Sequence, residues 1–218
     1  MSLIFASISK EMALAGQSEH ECLVASYRLG ERLQEWRLHL PLLLGFVPPS
    51  YLVPSHRRQA RVIQLAHAHA VMQLNRSFIL GQSTSQHQEL ADNCVNAAKS
   101  VFEIVDEMAR SEPSFHAFWW THYVMFCALA VTYAHGIQQR RSRLAPDKGQ
   151  IELLKLAETC YVHLAHATAA NSPSRRYADI LAEYRFSVIT QQPLRPRLVA
   201  PNIHPKAMQL LDGCSDES

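Results

Sequence analysis

Hydrophobic residues recur every three or four positions along nearly the whole chain, which is the spacing of helices that bury one face. No stretch alternates between apolar and polar residues in the manner of a half-buried strand. The pattern predicts seven helices, at about residues 3–15, 18–40, 56–79, 90–108, 115–137, 151–170 and 174–190. Short links join them, so we expect an all-α, single-domain bundle of six to seven helices.

The segment 115–137 is expected to be the central helix of this bundle, buried and aromatic. It contains no Asp, Glu, Lys or Arg and carries a series of large rings. Protein or lipid must cover a helix that is apolar on nearly every side, and an uncharged run of this length is a candidate membrane span. His116, His122 and His135 would be costly in hydrocarbon. We therefore interpret the segment as a core helix and expect no membrane insertion.

The domain is expected to cover residues 1–192, followed by a proline-rich extended tail over residues 193–218. Pro193, Pro196, Pro201 and Pro205 follow one another too closely for a regular helix. No internal repeat or domain boundary appears before the tail.

Local signals refine three helices of the domain. Ser18 is positioned to cap the second helix. Val62 falls near the apolar face of the third helix, and Ile151 belongs to the apolar positions of the sixth. The sequence leaves open whether residues 42–44 add a further helical turn after Pro41.

Composition and charge narrow the class of protein. The chain of 218 residues is 48% hydrophobic and 18% charged, as in globular proteins. Its 21 basic and 19 acidic residues give a formal charge of +2, which indicates no direct binding of nucleic acid. The five cysteines form no CxxC pair, and the apolar N-terminus lacks the basic segment of a signal peptide. We expect an intracellular protein, in the cytoplasm or nucleus, with reduced cysteines.

Four stretches follow one another in the order of a known family. They are Leu29–Leu40 (LGERLQEWRLHL) before Pro41, Leu65–Leu80 (LAHAHAVMQLNRSFIL), Cys94–Met108 (CVNAAKSVFEIVDEM) and Ser174–Tyr184 (SRRYADILAEY). Together they resemble the C-terminal half of the regulatory domain of fungal-specific transcription factors, the middle homology region, over about residues 3–190. The resemblance implies an all-α fold and descent from a regulator that responds to a ligand or a partner.

The chain departs from this family at informative places. Residues 75–78 read Asn-Arg-Ser-Phe where the family usually has His-Arg-Pro-Phe. Nothing in the sequence can form the family's binuclear zinc cluster of six cysteines, and no arginines precede Trp119 and Trp120 as in the family's double-tryptophan segment. We therefore expect that this chain does not read DNA in the manner of the family.

Two histidine pairs are candidate metal ligands. His67 and His69 are two residues apart, and His163 and His166 are three apart, which places the second pair on one helix face. Neither pair has a carboxylate or thiolate at helical spacing, as bundle metal sites require. The sequence predicts no metal site and no cofactor.

His122 lies among large apolar residues in the middle of the central segment. A buried imidazole needs a partner or a cavity. One interpretation is a core histidine that hydrogen-bonds to a backbone carbonyl or to Tyr133, which returns to the same helix face. The other is a pocket in which His122, Tyr123 and Tyr133 donate or accept protons as catalytic residues.

In the pocket hypothesis, rings of the central segment shape the cavity: Phe118, Trp119, Trp120 and Phe126. Asn75 and Arg76, at the end of the third helix, are candidates for anchoring a polar group of the ligand, since Arg offers a planar fork of donors. Their alternative role is to cap the last carbonyls of their own helix.

Two functions remain open from the sequence. The first is a stand-alone relative of the fungal regulatory domain that binds an apolar small molecule. In the stronger form of this hypothesis, the pocket also catalyses a cofactor-free cyclisation or isomerisation in secondary metabolism. The second is a transcription regulator or interaction module that acts through a DNA-binding family member. Neither excludes a homo-oligomer.

Overall fold

The structure, a computed structural model, describes residues 2–15, 18–80, 84–111, 119–142, 147–166 and 173–190. Within these ranges the chain is all-α, with eight α-helices and no strand. They are α1 (Ser2–Ala15), α2 (Glu19–Leu38), α3 (Leu42–Gly45), α4 (Pro54–Asn75), α5 (Ser85–Ser111), α6 (Trp119–Arg141), α7 (Lys148–Ala165) and α8 (Pro173–Thr190). Two 3₁₀ turns, Pro49–Tyr51 and Arg76–Leu80, flank α4. The predicted all-α class is confirmed, whereas the predicted tail over residues 193–218 lies outside the described residues.

The one helix beyond the predicted seven is α3, a single turn. The carbonyl of Pro41 accepts hydrogen bonds from the backbone N–H groups of Leu44 and Gly45, at 2.9 and 3.0 Å. Proline is well suited to start such a turn, because its φ angle is already fixed near the helical value. Further along the chain, α7 corresponds to the sixth predicted helix. It ends at Ala165, before the predicted end near residue 170.

The main core lies where α4, α5, α6, α7 and α8 meet. α5 packs against α4, α6 and α7, and α6 packs against α4, α5, α7 and α8. Phe102 of α5, Leu129 of α6 and Ala157 of α7 have no exposed surface. A smaller apolar cluster joins α1, α2 and α4 through Ile8, Leu29, Leu33, Ala70 and Leu74. A fully buried Leu, Ile or Phe side chain contributes about 1.5–3 kcal/mol, so packing rather than helix propensity holds the bundle together.

Two apolar positions predicted for the core are exposed instead. Val62 is 39% exposed because the buried stripe of α4 passes through Arg61, whose guanidinium donates to Glu107 at 2.5 Å and to the Ser111 hydroxyl at 3.0 Å. Ile151 is 45% exposed because the buried stripe of α7 begins at Leu153. The apolar periodicity therefore located the helices correctly but misplaced the borders of the buried faces of α4 and α7.

The cap predicted for α2 is also corrected. Ser18 occupies the N-cap position with an extended backbone, but its side chain accepts no hydrogen bond from the first turn. The Ser18 carbonyl accepts the first helical bond, from the Cys22 N–H at 3.0 Å. A true side-chain cap is found at α7, where Asp147 accepts from the Gln150 N–H at 2.7 Å.

The rings of α6 differ widely in burial. Tyr133 is fully buried, Trp120, Tyr123 and Phe126 are partly buried, and Trp119 is 68% exposed. Phe118 lies outside the described residues. Among the helices that the structure describes, none combines the length and the apolar character that crossing a bilayer requires.

Candidate functional site

A long groove lies between α2, α4 and α5 and has a volume of about 770 Å³. α2 and α5 each pack against α4, and side chains of all three helices line the groove. The groove runs along α2 from Ser26 to Arg37, which corresponds to roughly 16 Å at 1.5 Å per residue. This volume falls within the range of sites that hold small molecules.

The interior of the groove is apolar and its rim is polar. Its apolar lining is contributed by all three helices: Leu33, Ala68, Val71, Leu74, Leu90, Ala97 and Ile104. The rim carries amides, hydroxyls and carboxylates: Glu31, Gln34, Gln64, Glu89, Asn93, Asn96, Ser100 and Glu103. A ligand with an apolar body and polar groups at its ends or edges would match both the interior and the rim of the groove.

One end of the groove is closed by contacts between the N-terminal halves of α2 and α5. The Tyr27 hydroxyl donates to Glu89 at 3.5 Å, and the His87 ring lies 3.2 Å from Glu19. Beneath them, the Ser26 hydroxyl donates to the Leu74 carbonyl at 2.9 Å, which fixes α2 against the end of α4.

Asn75 lines the groove at this closed end. The residue is 6% exposed, and among the described residues none donates to or accepts from its amide. Its amide is not among the buried polar atoms that solvent cannot reach, so it is open to the groove, where water or a ligand can bond to it. Asn75 is thus the predicted ligand-binding residue that the structure places in a cavity.

The opposite end of the groove is formed by an aromatic stack. The rings of Trp36 and His67 lie 6.5 Å apart and 14° from parallel. Burial, together with the positive charge of Arg37, lowers the pKa of His67 to about 4. His67 is therefore neutral at physiological pH and can act as a flat, weakly polar wall.

The three predicted catalytic residues do not converge. His122 and Tyr133 share a face of α6, but they are eleven residues apart, which corresponds to about 16 Å along the helix. His122 is 2% exposed and packed in the core. None of His122, Tyr123 and Tyr133 lines the groove.

Tyr133 belongs to a polar cluster between α6, α7 and α8. Its hydroxyl donates to Glu158 at 3.3 Å, and Glu158 also binds the Arg185 guanidinium at 2.5 to 3.0 Å. Arg185 in turn lies 4.6 Å from the centre of the Tyr161 ring. Burial and the nearby carboxylate raise the pKa of Tyr133. A phenol held in this way stabilises the bundle and is a poor proton donor for a substrate.

Tyr123 belongs to a different cluster, in which rings from α1 and α6 surround His69 of α4. The ring of His69 makes edge contacts with Trp120 and Tyr123, at 6.5 and 5.5 Å, and lies 5.4 Å from Phe5. Tyr177 of α8 completes the cluster. Its ring lies 6.2 Å from Tyr123 and stacks on Phe126 at 4.6 Å. The sequence pattern gave no indication that His69 would be its centre.

The electrostatics of this ring cluster follow from burial. Desolvation, with a smaller contribution from Arg76, lowers the pKa of His69 to about 4. Desolvation, followed by Cys127, raises the pKa of Tyr123 to about 12, although Arg76 opposes that rise. Arg76 itself is exposed and forms no ion pair with any described residue. Its backbone N–H donates to the Met72 carbonyl, but its side chain does not cap α4.

The two histidine pairs considered as metal ligands do not form a metal site among the described residues. Among the described residues no three His, Cys, Asp or Glu side chains are grouped as a metal ion would require. His69 contacts Gln73 at 3.1 Å, and His166 contacts the Val162 carbonyl at 2.8 Å. No disulfide joins the described cysteines.

Sequence reasoning missed the groove as a whole. Its α5 wall does show a periodic signal, since Glu89, Asn93, Asn96, Ser100 and Glu103 are spaced three or four residues apart. The same spacing marks any solvent-exposed helix face, so only the packing of α2 and α5 on α4 distinguishes it. No protein-family model, curated protein or solved structure matches this chain.

Proposed function

We propose that this protein binds an elongated, mainly apolar small molecule in the groove between α2, α4 and α5. The observation that carries the proposal is the buried Asn75 amide, which faces a cavity of about 770 Å³ and has no partner among the described residues. Apolar walls with a few placed polar groups are typical of small-molecule sites. We also propose that the chain descends from the fungal regulatory domain. The all-α fold is compatible with this descent.

The groove, rather than the interior of α6, is the proposed site. A cofactor-free cyclisation or isomerisation at His122, Tyr123 and Tyr133 stays a prediction from the sequence. The separation of His122 from Tyr133 and the contact of Tyr133 with Glu158 favour binding over conversion at these residues.

The test uses one variant that fills the groove and one matched control. Ser100→Trp places a large ring on the groove wall, whereas Thr159→Trp places the same ring on the surface of α7. Both native hydroxyls are exposed and donate to the carbonyl four residues earlier, at 3.1 and 3.2 Å, so the local cost of the two changes is similar. The purified proteins are incubated with a small-molecule extract of the source organism, and retained molecules are identified by mass spectrometry.

A molecule retained by the wild type and by Thr159→Trp, but not by Ser100→Trp, would support the proposal. Asn75→Leu should weaken retention of the same molecule by roughly fivefold to tenfold, because it removes one hydrogen bond. Retention that is equal in all variants, or absent in all, would contradict the proposal.

A second candidate function, an interaction module, is favoured by an apolar patch beside the end of the groove at the Trp36–His67 stack, which we call the open end. The patch consists of side chains that are between 52% and 83% exposed: Leu38, Leu42, Phe46, Tyr51 and Val53. Residues 40–55 contain no Asp, Glu, Lys or Arg, so no charge repulsion opposes pairing of two copies of this chain. Exposed apolar patches commonly mark protein contacts.

Sedimentation velocity tests this second candidate directly. A dimer in the wild type that dissociates in the Leu42→Ser/Tyr51→Ser variant would support it. A monomer at every protein concentration would contradict self-pairing through the patch and leave ligand binding as the single function proposed.

A further inference from the structure

We infer that the ligand of the groove carries a protonated amine at the end near Asn75. The inference rests on the proposed function and names the chemical class of the molecule. It starts from the charges that line the groove, which are Glu31, Glu89, Glu103 and a single cation, Arg37.

The open end of the groove is close to electrically balanced. Arg37 lines this end, and Glu103 lies 3.9 Å from the Lys99 ammonium group. A charged group of the ligand would therefore gain little electrostatic binding energy at the open end.

The carboxylates at the closed end have no basic residue beside them in the groove lining. Neither Glu31 nor Glu89 forms an ion pair with a described residue, and the hydrogen bond from Tyr27 to Glu89 is long, at 3.5 Å. Two arginines lie near Glu31 in the sequence, but they do not balance its negative charge. Arg28 and Arg32 both bind Glu11 of α1.

The closed end also holds the groups that a cationic amine requires. The Asn75 side-chain oxygen can accept a hydrogen bond from the amine inside the groove, while the two carboxylates supply the opposite charge. The face of the Tyr27 ring, which is 39% exposed, can contact the cation as well. The apolar body of the ligand then extends over Val71, Ala97 and Leu33 towards the Trp36–His67 stack.

Three ligands of equal chain length distinguish this assignment from simple hydrophobic binding. Decylamine, decanol and decanoic acid are titrated into the protein by calorimetry at pH 7, each below its micelle concentration. The wild type should bind decylamine about tenfold more tightly than decanol, because two partly exposed charge pairs each contribute a modest amount. Decanoic acid should bind most weakly.

The Glu31→Gln/Glu89→Gln variant should lose the preference for the amine and keep its affinity for decanol. Glu35→Gln is the matched control, since Glu35 is an exposed residue of α2 that does not line the groove, and it should retain the preference. Equal binding of amine and alcohol by the wild type would overturn the inference and leave the proposed function intact. Failure of all three ligands to bind, together with failure of the extract experiment, would overturn both.

Discussion

Buried polar side chains divide this molecule into regions with different roles. Glu158, Arg185 and Tyr133 satisfy one another between α6, α7 and α8, so their polar atoms stabilise the native packing. Asn75 faces a cavity instead, with its amide available. His69 is an intermediate case. Its Nε2 atom contacts Gln73, while its buried Nδ1 atom has no hydrogen-bond partner.

The burial of His69 predicts a dependence of stability on pH. Its pKa is lowered from an ordinary value near 6.5 to about 4. Between these values the unfolded chain binds a proton that the folded chain does not, so the free energy of unfolding falls as the pH is lowered through this window. In His69→Phe the ring is kept and the titration removed. The wild type should lose about 1–2 kcal/mol more than this variant between pH 7 and pH 4.5.

Urea unfolding at several pH values measures this difference. The control is His20→Phe, which changes an exposed histidine of α2 and should follow the wild-type curve. Equal losses in wild type and His69→Phe would show that His69 is not held neutral by its surroundings.

Single residues were predictable from the sequence only where local chemistry decides their role. Asn75 could be singled out because a polar residue at the end of an apolar helix invites a ligand, and the structure places it in the groove. Arg61 could not, because its burial depends on Glu107 and Ser111 of another helix. Nor could His69, because its ring neighbours come from α1 and α6.

At the scale of elements, the helices follow from local spacing and their junctions do not. The apolar residues of α5 that recur every three or four positions are buried, apart from Ile104, which is half-buried: Leu90, Cys94, Ala97, Val101, Val105 and Met108. Periodicity fixes such a face because it depends on neighbouring residues alone. The groove depends instead on how far apart α2 and α5 lie on α4, which no local pattern encodes.

The contact between α7 and α8 predicts a measurable coupling. Arg185 binds Glu158 with two guanidinium nitrogens, while the two side chains are only about one third exposed. A double-mutant cycle with Glu158→Gln and Arg185→Gln should give a coupling free energy of about 1 kcal/mol. A carboxylate bound by two guanidinium nitrogens lies at the upper end of the coupling energies found for surface ion pairs.

The exposed pair Lys99–Glu103 of α5 is the matched control for this cycle. Its atoms are 3.9 Å apart and both side chains are about half exposed, so its coupling should be below about 0.5 kcal/mol. Similar couplings for the two pairs would mean that Glu158 and Arg185 do not hold α7 and α8 together.

At the scale of the whole molecule, the proposed site borders the main core, since Ala68 and Ala97 belong to both. α6 and its neighbours form the packed core, which accounts for most of the buried apolar surface. The groove lies where α2 and α5 flank α4 without closing over it. A ligand can therefore enter without opening the main core.

The location of the ligand is the most direct test of this description. Decylamine is titrated into isotopically labelled protein, and the methyl resonances are followed by two-dimensional NMR. We expect the largest shift changes at Leu33, Val71 and Ala97, which line the groove, and little change at Val124 and Leu129, which pack near His122 in the core. The largest changes at Val124 and Leu129 would contradict it and return the site to the interior of α6.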